Sequence, residues 1–154
     1  MKKRFLGIVM CVAMAATMLG CNSGAKEVDA SALAGELNTG IVYQDELNIL
    51  GEDVVPMIFD FGDAKLAETI VMEGSGGTAE EIVVIKCEDA ESAAAVENTL
   101  KERVAEQKES FADYVPAEIE KLDAAVIYRN GSYAVLSVSD EPDKAKSIIE
   151  SYFK

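Results

Sequence analysis

Apolar residues recur along this chain at two periods, and the switching between them predicts its elements. Ala30, Leu33, Ala34 and Leu37 repeat at threes and fours, which predicts a short helix capped by Asp29 and stopped near Gly40. An irregular stretch follows from Ile41 to Leu50. A second short helix is expected over Glu52–Asp60, with Gly62 as its C-terminal stop. β-prone residues from Lys65 to Glu73 and the apolar run Ile82–Cys87 predict two strands, joined by a hairpin loop at Gly74–Thr78. An uninterrupted apolar run suits a strand buried on both faces, so Ile82–Cys87 is expected at the centre of its sheet.

The longest periodic segment runs from about Ala90 to Glu109. Ala93, Val96, Leu100, Val104 and Phe111 form its buried stripe, while Glu91, Glu97, Lys101, Glu102 and Glu106 make a wet face. Tyr114 to Leu122 then turns through Val115-Pro116 into a short helix. Asn130-Gly131 separates two more strands, Ala124–Arg129 and Ser132–Ser139, as a two-residue hairpin turn. That turn places Tyr128 opposite Tyr133 and Ile127 opposite Ala134. Asp140-Glu141-Pro142 opens the last helix, with Ala145, Ile148, Ile149 and Tyr152 as its stripe. Hairpins alternating with helices predict an α+β fold: a mostly antiparallel sheet of about four strands in two hairpins, with helices packed on one face.

Ahead of this domain the pattern changes. Lys2, Lys3 and Arg4 precede the uncharged run Phe5–Leu19, and Thr17-Met18-Leu19-Gly20 leads to Cys21. That layout predicts a signal peptide over residues 1–20 ending in a bacterial lipobox, with Cys21 lipidated and residues 21–28 as a flexible tether. Met18 stands where such sites favour Leu. An uncleaved membrane helix is the alternative, but the run falls short of the ~20 residues that span a bilayer. A diacylglycerol on Cys21 supplies the two chains that stable anchoring needs. Residues 29–154 are therefore expected as a single domain outside the cytoplasm, held at the cell membrane.

Charge and composition narrow the chemistry. The 154 residues carry 14 Lys+Arg against 28 Asp+Glu, with no histidine and no tryptophan. Removing residues 1–20 takes three positive charges and no negative one, leaving 11 against 28. Such a domain lacks the cations that neutralise phosphates, so no nucleic-acid partner is expected. Without histidine there is no Ser-His-Asp or Cys-His nucleophile and no HExxH zinc site. Cys87 is the only thiol expected in the mature domain besides Cys21, and it reads as a small buried hydrophobe.

Several short motifs imitate chemistry. Asp60-Phe61-Gly62 copies a kinase triplet without the rest of a kinase, and Gly74-Ser75-Gly76-Gly77 lacks the Gly-Lys-Ser/Thr of a phosphate loop. Asn130-Gly131-Ser132 matches a glycosylation sequon, but a tight turn explains it. The acidic groups Glu80-Glu81, Glu88-Asp89-Glu91 and Asp140-Glu141-Asp143 lack EF-hand spacing and read as helix caps and wet faces.

Gln107-Lys108-Glu109-Ser110-Phe111-Ala112-Asp113-Tyr114, then Pro116, then the 124–139 hairpin and helical tail, resemble a family of small lipoproteins from Gram-positive bacteria. That family is characterised only as a domain of unknown function. The resemblance covers most of residues 29–154 and implies lipid attachment at Cys21. It implies no catalytic residue, metal ligand or cofactor. The expected function is a lipid-anchored, non-catalytic binding or accessory module for an envelope protein or peptide. A carboxylate-only envelope hydrolase and a metal or small-solute receptor are the alternatives. The candidate binding surface is Tyr128 with Tyr133, and second Phe111 with Tyr114, each weighed against ordinary sheet and core packing.

Overall fold

The computed structural model describes residues 26–154. Five strands form one antiparallel sheet in the order β1-β2-β3-β5-β4. These are β1 (Asn48–Ile49), β2 (Leu66–Glu73), β3 (Glu81–Cys87), β4 (Val126–Asn130) and β5 (Tyr133–Val138). The helices are α1 (Ala30–Gly40), α2 (Val55–Ile58), α3 (Ala90–Tyr114), α4 (Glu118–Asp123) and α5 (Pro142–Tyr152). The α+β class and both hairpins are as expected, and β3 lies at the centre of the sheet. Asp29 and Asp89 cap α1 and α3, accepting from the backbone N–H groups of Ala32 and Ser92.

The helices cover both faces of the sheet, not one. Val83, Ile85 and Cys87 of β3 point into a core closed by Ala93, Val96, Leu100 and Val104 of α3 and by Leu122 of α4. Ile82 and Val84 point the other way, onto Leu33, Ala34 and Leu37 of α1 and Ala145 and Ile149 of α5. The pleat requires this result, because a strand apolar on every residue has two apolar faces to bury.

Three local expectations shift. The second helix shrinks to one turn at Val55–Ile58, with Pro56 in its first turn. The stretch expected as irregular contributes β1, whose two residues pair with Met72 and Glu73. The β4–β5 turn is Gly131-Ser132, because Asn130 itself pairs with Tyr133. Gly131 has φ +55° while no non-glycine among the described residues has positive φ, which makes a type II′ turn. Tyr128 therefore faces Val135 instead of Tyr133. Both registers keep the same residues on each face, so the layering is unaffected.

Candidate functional site

Cys21 lies outside the described residues. The expected tyrosine face is closed. Tyr133 is 3% exposed, and its hydroxyl donates to the Val28 carbonyl while accepting from the Val28 N–H, both at 3.0 Å. Val28 itself is buried, so the packed domain begins just before Asp29. Phe153, after α5, lies against both tyrosines, with ring centroids 5.3 Å from Tyr128 and 5.5 Å from Tyr133. Phe111 is buried in the α3 core, while Tyr114, its neighbour at 6.3 Å, is 70% exposed. The structure does not bring these four residues onto one open surface.

A concavity with an apolar lining lies on the outer edge of β2. Strand β1 covers only the last part of that edge, where the Leu50 N–H donates to the Val71 carbonyl. Along an antiparallel edge, main-chain groups two residues apart point the same way, so the N–H and C=O of Thr69 also point outward. Among the described residues no strand pairs with this edge from Leu66 to Ile70. A groove of about 460 Å³ runs beside it, with an apolar floor of Leu50, Val55, Pro56, Phe61 and Leu66. Glu52 and Glu68 also line it, and the Glu68 carboxylate accepts from the Ser31 hydroxyl of α1 at 3.3 Å. The irregular pairing between Leu66 and Glu68 twists this end of the strand, a common device at sheet edges.

Glu80 and Glu81 are buried, contrary to the solvated role expected of them. The Glu80 carboxylate accepts from the backbone N–H groups of Gln44 and Asp45 and from the Lys121 ammonium at 3.1 Å. Lys121, itself 5% exposed, also meets Glu118 at 3.2 Å. Burial works against the Lys121 charge, but its bonds to Glu80 and Glu118 prevail and raise its pKa. This cluster ties the 42–45 segment to α4 across the end of the sheet.

Glu81 stands opposite Glu73 in the β2–β3 ladder, beneath Arg103 of α3. Arg103 bonds Glu73 closely at 2.7 Å and Glu81 only at 3.4 Å. Burial pushes the Glu81 carboxyl up to about 8; Arg103 opposes that shift and the Glu73 carboxylate adds to it. Burial thus favours the protonated form of Glu81 and keeps the carboxyl group from solvent. Cys87 is buried, and burial raises its thiol to about 11, as an inert packing residue requires. Among the described residues no three acid or cysteine side chains converge as a metal site. No helix among them is long and apolar enough to cross a membrane.

A family described as a domain of unknown function, DUF4358, matches residues 57–139, more than half of the chain. The chain belongs to that family. Its DUF4358 stretch runs from within α2 to the end of β5, and so holds four of the five strands with α3 and α4. Helices α1 and α5, which close the second face of the sheet, lie outside the matched stretch. The β2 groove straddles its start: Phe61 to Ile70 lie within the DUF4358 match, whereas Leu50, Glu52, Val55 and Pro56 precede it. No curated protein and no solved structure matches the chain.

The sequence carried a partial signal for these features. Strand β2 was legible from its composition, but that its outer edge is open depends on β1 being two residues long. The buried acids had one visible cue, their place directly before the most apolar run of the chain.

Proposed function

We propose that this DUF4358 protein is a lipid-anchored, non-catalytic binding module that takes an extended segment of an envelope protein onto the outer edge of β2. The open edge at Thr69 carries the proposal, because an unpaired strand offers main-chain hydrogen bonds to an added strand while the groove selects its side chains. Apolar residues fit the floor at Val55, Phe61 and Leu66, and a basic residue fits Glu52. The acidic domain disfavours a second copy of itself as the occupant.

The lipid reading places that groove near the bilayer. Cys21 precedes Lys26 by five residues, a reach of at most about 18 Å. Val28 is fastened to Tyr133 at the start of β5, beside Lys86 and, across the β3–β2 pairing, Glu68. The Leu66–Glu68 end of the groove thus belongs to the tethered end of the sheet. A membrane protein's outward-facing segment is the partner this arrangement suits.

A photo-crosslinking residue at Ala67 of the full-length chain in native membranes tests it. The probe should trap one envelope protein through a mapped, extended segment. The adduct should vanish in Thr69→Pro, since proline removes the outward N–H and is tolerated on edge strands. A probe at the exposed Lys146 should trap nothing. Equal trapping at both positions, or an adduct that survives Thr69→Pro, overturns the proposal.

A further inference from the structure

At the opposite end of β2, a second cleft of about 180 Å³ opens between the β2–β3 loop and α3. Glu73, Thr78 and Glu80 line it from the sheet side, and Arg103, Gln107 and Phe111 from the helix. Gln107 falls on the apolar stripe of α3, three residues after Val104 and four before Phe111. It is 8% exposed, and its Oε1 is buried with no hydrogen-bond partner. A buried amide oxygen left without a donor costs about 1–3 kcal/mol, so a donor is needed there.

Several side-chain donors around the cleft are committed elsewhere. Arg103 serves Glu73 and Glu81, Lys121 serves Glu80 and Glu118, and the Thr78 hydroxyl donates to Glu80. Ser110, also on the cleft, donates its hydroxyl to the Glu106 carbonyl. With Glu81 held in its protonated form, these contacts set three carboxylates, Glu73, Glu80 and Glu118, against two cations, an excess of one negative charge that favours a cationic visitor. The acids do not converge as a metal cage. The volume holds about six waters' worth of ligand, and the buried Phe111 ring offers a wall for a few carbons.

We infer that this cleft binds the ammonium head of a small primary amine, with Gln107 Oε1 and the Glu73 carboxylate as its acceptors and Phe111 against its carbon chain. An ammonium brings three donors to a site rich in acceptors, and Gln107 gains the partner that the fold leaves out. The site lies apart from the β2 groove, so each stands or falls without the other.

The test is an NMR titration of the full-length chain in detergent micelles with n-propylammonium, following the Gln107 side-chain amide. The amide resonances should shift and saturate in the millimolar range. Gln107→Leu and Glu73→Gln, read from backbone signals of the Gly74–Thr78 loop, should each weaken binding about tenfold or more. Should Gln107→Leu fail to fold, Glu73→Gln alone decides. Shifts that never saturate, that n-propanol or sodium chloride reproduces, or that survive Glu73→Gln overturn the inference, and water is then the partner of Gln107.

Discussion

Glu81 is a carboxyl group that folding makes harder to ionise. Its value of about 8 in the fold lies above the ordinary 4.5, so the unfolded chain releases this proton first as pH rises. The stability it contributes is complete below about pH 4.5 and is lost as pH climbs through about 8. Glu81→Gln should remove that slope: thermal unfolding at pH 8.5 should occur about 3 °C or more above wild type, with a smaller difference at pH 5. Equal offsets at both pH values would show that Glu81 does not titrate in this range. Lys121 poses the opposite case, a charge the fold cannot spare. Lys121→Met strands Glu80 and Glu118 and should cost about 3–5 kcal/mol in denaturant unfolding. Neutralising both acids in the same chain, with Glu80→Gln and Glu118→Gln, should recover part of that loss. At this scale the sequence was hardest to read. Glu80-Glu81 has the composition of a surface pair, and only Lys121 and Arg103, distant in the chain, explain its burial.

Among the elements, the β4–β5 hairpin separates composition from geometry. Asn130-Gly131 is a strong turn signal, yet the turn formed is Gly131-Ser132, with positive φ only at the glycine. Gly131→Ala should therefore cost about 1–3 kcal/mol, whereas Asn130→Ala should stay within about 0.5 kcal/mol. Equal losses at the two positions would favour the other register. The difference is physical: a two-residue loop can begin at either residue of a turn-prone triplet, and packing of the flanking strands chooses. Helix α3 shows the converse. Its stripe from Ala93 to Phe111 was plain, and Gln107 occupies the step where that stripe lacked an apolar residue. Helix α2 is shorter than the apolar content over Glu52–Asp60 predicts, a single turn that forms around Pro56.

At the scale of the whole molecule, the sheet is the middle of three layers, and each outer layer depends on a different part of the chain. Helix α5 and Phe153 seal the face that carries Tyr128 and Tyr133, so Ile149→Ala should destabilise the fold by about 2–5 kcal/mol despite lying outside the DUF4358 match. A loss under about 1 kcal/mol would mean that this layer is dispensable. Period and composition alone determined the element order from β2 onward, the α+β class and the central place of β3, since these follow from local propensity and from how many faces a strand must bury. The same run in β3 already implied two covering layers, although the helices were expected on one. Only the tertiary structure decided which helices lie on which face, that Phe153 closes the tyrosine face, that the edge of β2 stays open, and that Gln107 lacks a partner. Those outcomes rest on residues far apart in the chain meeting at fixed distances, and a one-dimensional pattern does not encode which distant side chain arrives.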